Sequence, residues 1–312
     1  MPWKERYTTS DEKTLDDKDV RWPNAARCAV RIVVDLGMAH AAEGLKASDF
    51  DSSEAVFALG EGLDLLLAVL DRHAMKVTFA VPGWLAVLYR ERIQSLHRAG
   101  HEIAVAGLKG EDAAALSRDE ETSRIEEASR LVADIVGERP VGWFCLPRGS
   151  DPFAVGSVSA NTVDLLIDAG YQYIGNGLAD DIPYYWVTDA PTRRALLALP
   201  YYYHFNDLYF IMYPRKGSGI ENGDVLLRNW LAEFDAQYQR GRHFEMTLHP
   251  EHAGWSNRLR GLDNFLSHVR ERQNVWSCTS AQCAAYWQQT YPAEETLKLA
   301  PSIWQDHEGS LS

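Results

Sequence analysis

Cysteine is scarce in this sequence. The 312 residues contain only four: Cys28, Cys145, Cys278 and Cys283. Their spacing matches neither a zinc site nor the framework of a disulfide-rich fold. Three of them lie in or beside apolar stretches, where a free, buried thiol is the usual state. The cysteines therefore predict neither a structural metal nor stabilisation by disulfides.

Long apolar segments and a signal peptide are also missing. No run of 18 apolar residues occurs, so the sequence predicts no transmembrane helix. The first residues, Met1 to Tyr7, are too polar for the apolar core of a signal peptide. We therefore expect a cytoplasmic protein.

Positive charge is in the minority. Lysine and arginine number 31 against 44 aspartates and glutamates, which gives a net charge of −13. This excess of negative charge would repel phosphate groups. The composition thus argues against a nucleic-acid partner and against binding to an anionic membrane.

Short apolar strands alternate with amphipathic helices along most of the chain. Cys28 to Asp35 predicts a buried strand, and Phe244 to His249 predicts another that ends in a histidine before Pro250. Ser117-Arg-Asp-Glu120 is the capping box of a helix. About seven such repeats without a break in composition predict one parallel α/β barrel over residues 27–290. We expect residues 1–26 to form a polar arm and residues 291–312 a tail.

The stretch from Gly100 to Gly110 carries the most informative motif. It reads Gly-His-Glu-Ile-Ala-Val-Ala-Gly-Leu-Lys-Gly, a short strand followed by a glycine-rich loop. Loops at the carboxyl ends of barrel strands carry the catalytic groups of such folds. The wording resembles the polysaccharide deacetylase-like (NodB-homology) family, whose matching stretch is Gly-His-Glu-Ile-x-x-His-Gly-x-x-His.

Other parts of the family pattern follow in the family's order over residues 20–290. They are Arg21-Trp-Pro, Asp35, Val81-Pro-Gly-Trp84, Gly137-x-Arg-Pro-x-Gly-Trp143, Asp168-Ala-Gly-Tyr171, Asp180-Asp-x-Pro-Tyr184, Asn206-Asp207 and Leu248-His-Pro250. Together they are most similar to the cytoplasmic subgroup of PuuE-type allantoinases and cyclic-imide hydrolases. The resemblance implies an irregular (β/α)7-type, TIM-like barrel, usually in homo-oligomers, that acts on a small-molecule substrate.

The positions of the family's metal ligands are changed here. Metal-dependent relatives have two histidines at the positions of Ala106 and Gly110, and an Asp-x-Asp or Asp-Asp pair where this chain has Asp35-Leu-Gly37. Catalytic zinc needs about three protein ligands. We therefore predict no metal and no other cofactor, which is compatible with activity because PuuE-like relatives are metal-independent.

Asp35 and His249 are the candidate catalytic residues. The resemblance implies that Asp35 is the general base and that His249 is the general acid that protonates the leaving nitrogen. An imidazole suits acid catalysis because its pKa lies near neutrality. The alternatives are an aspartate that caps a loop and a core histidine satisfied by a backbone carbonyl.

The candidates for substrate binding are Trp84, Arg148, Asp181, Tyr184, Asn206 and Glu251. Arg148 either anchors a carboxylate through two hydrogen bonds or forms a surface salt bridge. Asp181, Tyr184 and Asn206 either line the pocket or only hold their loops. Glu251 belongs to His249-Pro-Glu251-His252, which could also be interpreted as a new metal site, although exposed loop residues explain it better.

These observations lead to three hypotheses about function. The first is a metal-independent hydrolase that cleaves a C–N bond in a small amide, imide or ureide. The second is a lyase or decarboxylase that uses the same pocket on a small acidic or aromatic substrate. The third is a non-catalytic binding protein on a degenerate deacetylase fold.

Overall fold

One sheet of nine strands forms the centre of the computed structural model, which describes residues 15–146, 156–189, 192–208 and 223–296. In chain order the strands are β1 (Cys28–Asp35), β2 (Thr78–Val81), β3 (Glu102–Val105), β4 (Gly142–Trp143), β5 (Tyr173–Gly177), β6 (Tyr184–Asp189), β7 (Arg194–Pro200), β8 (His243–Leu248) and β9 (Val275–Cys278).

The first strand has the most neighbours. β1 pairs in parallel with β2, β8 and β9, and the spatial order is β6-β7-β5-β4-β3-β2-β1-β8. Among the described strands, only β6 and β7 pair in the antiparallel direction. The parallel sheet with crossover helices confirms the predicted α/β class, and this strand order suits an irregular barrel.

Helices cover the outer face of the sheet. The longer ones are α3 (Leu63–Arg72), α5 (Arg90–Arg98), α6 (Arg118–Val136), α8 (Gly223–Arg240), α10 (Ser256–Glu271) and α11 (Ser280–Thr290). The shorter ones are α1 (Ala47–Phe50), α2 (Ser53–Phe57), α4 (Gly83–Leu88), α7 (Thr162–Asp168), α9 (Pro250–Ala253) and α12 (Ala293–Thr296).

Alternate residues of the strands face two different cores. On β1, Ile32 and Val34 pack with the residues of the outer helices, whereas Ala29 and Val33 belong to an inner cluster. Because side chains alternate along a strand, Arg31 and Asp35 share the inner face with Val33. Burial on both faces explains why these strands are almost continuously apolar in sequence.

A group of polar side chains crosses the inside of the barrel, and we call it the interior network. Its members are Arg31, Thr78, Glu102, His243 and Glu245. Arg31 is fully buried and donates hydrogen bonds to Ser280 Oγ, at 3.0 Å, and to the carbonyl oxygen of Pro200. Thr78 Oγ1 donates to Glu102 Oε2 at 2.7 Å, and Thr247 Oγ1 donates to Glu245 Oε1 at 2.7 Å.

Burial governs the ionisation of the interior network. Burial raises the pKa of Glu102 and Glu245, although hydrogen bonds and the charge of Arg31 oppose the shift. Burial lowers the pKa of His243 well below its usual value, and Arg31 acts in the same direction. His243 is therefore neutral at pH 7, and Arg31 carries the positive charge of the network.

The predicted elements agree with the structure most closely where local signals are strong. β1 has the predicted bounds. The capping box is confirmed, because Ser117 Oγ accepts from the backbone N–H of Glu120 and the Glu120 carboxylate accepts from that of Ser117. The antiparallel strand β6 lies outside the predicted strands, because its first residue, Tyr184, is predicted to belong to a loop.

The arm is attached to the barrel through a tryptophan. Trp22 is buried, contacts the rings of Trp276 and Trp287, and donates from Nε1 to the carbonyl oxygen of Gly241 at 3.0 Å. The limits of arm, barrel and tail stay predictions. In the described ranges, no helix combines the length and the apolar character needed to cross a bilayer.

Candidate functional site

Asp35 and His249 lie side by side at the carboxyl ends of two neighbouring strands. Val34 of β1 pairs with Leu248 of β8, so the residue after each pair member emerges at the same edge. Asp35 Oδ2 and His249 Nε2 are 3.3 Å apart, and each residue is only 1% exposed. The structure thus brings together the two residues predicted to be catalytic.

Asp207 holds the other side of the histidine. Its Oδ1 lies 2.6 Å from His249 Nδ1, and its Oδ2 accepts the backbone N–H of His249 at 2.9 Å. Of the pair Asn206-Asp207, only Asn206 is among the residues predicted from the sequence. A buried histidine that is to stay protonated needs a carboxylate partner, and that requirement is the signal that could have identified Asp207.

The three side chains form one charged group, which we call the Asp–His–Asp group. Burial acts to lower the pKa of His249, but the negative charges of Asp207 and Asp35 outweigh it and raise that pKa well above its usual value. His249 is therefore an imidazolium at neutral pH.

Two buried atoms of this group make no hydrogen bond within the described ranges. Within the described ranges, neither Asp35 Oδ2 nor His249 Nε2 has a hydrogen-bond partner, although both are buried. Their separation of 3.3 Å places them in contact without the alignment of a hydrogen bond. Both atoms are buried, and of these two residues Asp35 is the one that also lines a cavity.

A small cavity lies beside Asp35, at the carboxyl ends of β1 to β4. Its volume is about 40 Å³, enough for two or three water molecules. Small and apolar residues make up much of its wall: Gly37, Ala39, Pro82, Ala106, Gly107, Gly110, Leu116, Ile125, Trp143 and Phe144. Its ionisable lining residues are Asp35, Glu111, Glu121 and Arg124.

The positions of the expected metal ligands, Gly37, Ala106 and Gly110, carry no side chain that could bind a metal. A Cβ at residue 37 would come within 2.9 Å of Asp35 Oδ1, which accepts the backbone N–H of Gly37 at 2.6 Å. Gly110 has φ +68°, a left-handed conformation that a histidine adopts only with strain. In the described part of the chain, no three His, Cys, Asp or Glu side chains are grouped to hold a metal ion.

Glu111 and Arg124 were missed by the sequence analysis. Glu111 caps the loop after β3, because its carboxylate accepts the backbone N–H groups of Leu108 and Lys109 at 3.3 and 2.6 Å. Arg124 reaches the cavity from α6, and its Nη1 lies 3.8 Å from Glu111 Oε1. Neither residue belongs to a motif, so only the fold brings them to Asp35.

Glu251 follows His249 on the first turn of α9. Burial raises the pKa of its carboxyl to about 7, partly opposed by the charge of His249. It lies near enough to feel the charges of Asp207 and Asp35, which act to raise its pKa further. Its role in substrate binding stays a prediction.

Three other predicted residues serve the loops. Trp84 is 42% exposed on α4 and carries the Lys109 ammonium 3.8 Å from its ring centre, outside the cavity wall. Tyr184 accepts backbone N–H groups of the loop after β5. Asn206 is fully buried, donating to Tyr201 Oη at 2.6 Å and accepting from the backbone N–H of Leu208.

Asp181 belongs to a different part of the molecule. It forms ion pairs with Arg240 and Arg242, which precede β8. Arg242 and His249 are seven residues apart on an extended segment, a separation of about 23 Å at about 3.3 Å per residue. The structure therefore does not place Asp181 beside the catalytic candidates. Arg148 lies outside the described residues.

Known proteins resemble this chain in sequence and in fold. Residues 49–174 match the family model of polysaccharide deacetylase. A peptidoglycan deacetylase from Helicobacter pylori is 23% identical over 260 residues, which cover 74% of this chain and 85% of that protein.

Solved structures extend the similarity over nearly the whole chain. PuuE allantoinase superposes with a TM-score of 0.75 at 23% identity, covering 90% of this chain and 95% of its own. A candidate polysaccharide deacetylase from Mycobacterium smegmatis gives a TM-score of 0.75 at 26% identity, covering 93% and 97%. Residues 49–174 therefore resemble the polysaccharide deacetylase family, and the chain has the α/β fold of these solved structures.

Proposed function

We propose that the protein is a hydrolase that cleaves a C–N bond in a small amide, imide or ureide, without a metal. The observation that carries this proposal is the Asp–His–Asp group, in which Asp35 Oδ2 and His249 Nε2 lie 3.3 Å apart without a hydrogen-bond partner in the described ranges, and Asp35 lines a cavity. The relatives named above, a peptidoglycan deacetylase and an allantoinase, support hydrolysis as the reaction class.

The division of labour follows from the charges. The Asp35 carboxylate accepts a proton from water, and the water oxygen forms a bond to the carbonyl carbon. The C–N bond then breaks as the His249 imidazolium donates its Nε2 proton to the departing nitrogen. Transfer of the proton from Asp35 Oδ2 to His249 Nε2, over 3.3 Å, restores the starting state.

Asp207 sets the protonation state on which this scheme depends. Its contact with His249 Nδ1 leaves Nε2 as the atom that faces the reacting group. Its charge helps to keep the imidazole protonated in a site where burial alone would make it neutral. Asp207 is therefore a positioning residue that acts through His249.

Hydrolysis of a substrate panel tests the proposal. N-acetylglucosamine oligomers, allantoin, hydantoin and succinimide represent the acetamide, ureide and imide classes, and product analysis identifies the broken bond. We expect turnover of at least one class, retained after dialysis against a chelator and lost in Asp35→Asn and His249→Gln. Full activity in both variants contradicts the mechanism, and stoichiometric zinc in active protein contradicts the metal-free premise.

The alternative functions give different results in the same experiment. Cleavage of a C–C bond would identify a lyase or decarboxylase. Binding without turnover would identify a non-catalytic protein. The predictions of a cytoplasmic location and of a homo-oligomer are separate proposals, and light scattering on the purified chain tests the second.

A further inference from the structure

The charged residues that line the cavity beside Asp35 differ in how many of their hydrogen bonds are already made. Both carboxylate oxygens of Glu111 accept backbone N–H groups of its own loop. Those of Glu121 accept the hydroxyl groups of Ser159 and Thr162. These carboxylates are therefore occupied in holding loops.

Arg124, in contrast, makes no hydrogen bond of this kind. Its guanidinium donates no hydrogen bond to any residue in the described ranges, and its nearest carboxylate oxygen is 3.8 Å away, on Glu111. The side chain is 31% exposed, so part of it is shielded from water. Of the described residues that line the cavity, Arg124 is the one with a positive charge.

A guanidinium in this situation is suited to bind oxygen. Its five N–H donors form a planar fork that matches a carboxylate or two neighbouring carbonyl oxygens. Hydrogen bonds from a charged donor are stronger than neutral ones, and partial exclusion of water increases the difference. Ala106, Gly107 and Gly110, which have small side chains or none, line the same cavity as Arg124 and Asp35.

We propose that Arg124 binds an oxygen acceptor of the substrate in the cavity beside Asp35. The site accordingly takes small C–N compounds that carry a second carbonyl or a carboxylate, in addition to the carbonyl of the bond that breaks. The inference rests on the proposed function only for the position of that bond. Arg124 is thus the residue that determines specificity.

Two pairs of probes isolate the contribution of the second acceptor. Succinimide and 2-pyrrolidinone share a five-membered ring and differ in one carbonyl oxygen, and succinamate and butanamide share a chain length and differ in the carboxylate. Dissociation constants are measured by ligand-observed NMR in the Asp35→Asn background, where no turnover occurs. We expect the acceptor-bearing member of at least one pair to bind about 10- to 100-fold tighter, as hydrogen bonds to charged groups do.

Arg124→Met in the same background should abolish that preference and leave the affinity for the poorer member unchanged. The matched control is Arg130→Met on the same helix, because Arg130 is exposed and pairs only with Asp134 among the described residues. A purely structural role for Arg124 would lower stability without changing the ratio of affinities. The pair that shows the preference tells whether the acceptor is a neutral carbonyl or a carboxylate.

Two results would overturn the inference. One is a preference that persists in Arg124→Met, and the other is no preference in either pair, including no binding of any probe. Neither depends on hydrolysis, so the two proposals fail separately. A preference without turnover would remove the proposed function and keep the binding site, whereas turnover that is unchanged in specificity by Arg124→Met would remove Arg124 alone.

Discussion

The interior network and the Asp–His–Asp group are built on the same face of the same two strands, yet their charged side chains are hydrogen-bonded very differently. Arg31 and Asp35 are four residues apart on β1, and Glu245 and His249 are separated by the same four-residue step on β8. Arg31 and Glu245, which lie deeper in the barrel, are hydrogen-bonded to protein groups. At the carboxyl ends of the strands, which form the mouth of the barrel, Asp35 Oδ2 and His249 Nε2 have no hydrogen-bond partner in the described chain.

This difference suggests that the interior charges contribute to stability and that the atoms at the mouth of the barrel contribute to chemistry. A buried charge that is fully hydrogen-bonded holds strands together and has no free atom to offer a substrate. A buried donor and acceptor without partners cost stability, and they persist at sites where another molecule completes them. The comparison predicts that changes deep in the barrel affect unfolding, whereas changes at the mouth affect turnover.

The largest effect is expected for Asp35→Asn. The amide has the shape of the carboxylate but accepts a proton poorly, so turnover should fall by about 10²- to 10⁴-fold, the usual contribution of a general base. The free energy of unfolding, from urea titration, should stay within about 1 kcal/mol of the wild type, because the contact with Gly37 can be kept. A large loss of stability would contradict the prediction that changes at the mouth of the barrel affect turnover rather than unfolding.

Arg31→Met should have the opposite profile. It removes the buried cation that faces Glu102 and Glu245 and leaves their carboxyl groups without its charge. We expect the free energy of unfolding to fall by about 3 kcal/mol, as when one member of a buried charged group is lost. Turnover per folded molecule should change little. Loss of activity in a stable variant would show that the two regions are coupled.

Asp207→Asn tests the role of His249 through the pH dependence of kcat/KM. The proposed acid, His249, must be protonated, so kcat/KM should fall on the basic side. Because Asp207 raises the pKa of His249, its removal lowers that pKa and should move the basic limb to lower pH. At neutral pH we expect about a tenfold loss, the value of one hydrogen bond to a charged group. An unmoved basic limb would exclude His249 as the acid.

The smallest effect is expected for Thr78→Val. Thr78 Oγ1 accepts the backbone N–H of Ser280 at 2.8 Å and donates to Glu102, so valine leaves both without this partner. The free energy of unfolding should fall by about 1 kcal/mol with no change in the kinetics. The control is Thr122→Val, since the hydroxyl of that exposed residue bonds only to its own helix in the described structure.

The sequence predicts the strands and helices well, and it predicts the tertiary contacts between them less well. β1 follows from its apolar run, and the start of α6 follows from its capping box. β6 escaped prediction because Tyr184-Tyr-Trp has no polar alternation, since both its faces are buried.

The candidate site shows the same limit. Asp35 and His249 could be predicted because each ends a strand, and parallel strands end at a common edge. Asp207 and Arg124 come from a loop after β7 and from the middle of α6, so only folding brings them into the site. The loop position of Asp181 likewise does not tell that its side chain pairs with Arg242, which precedes β8.

The 2.6 Å contact between Asp207 and His249 Nδ1 also supplies a spectroscopic reporter. A proton shared over so short a charge-assisted distance, with both residues 1% exposed, is deshielded and sheltered from solvent. It should give a resolved proton resonance far downfield, which exchanges slowly. The signal is present before any substrate is known, and its displacement on adding a compound would reveal an occupant of the site directly.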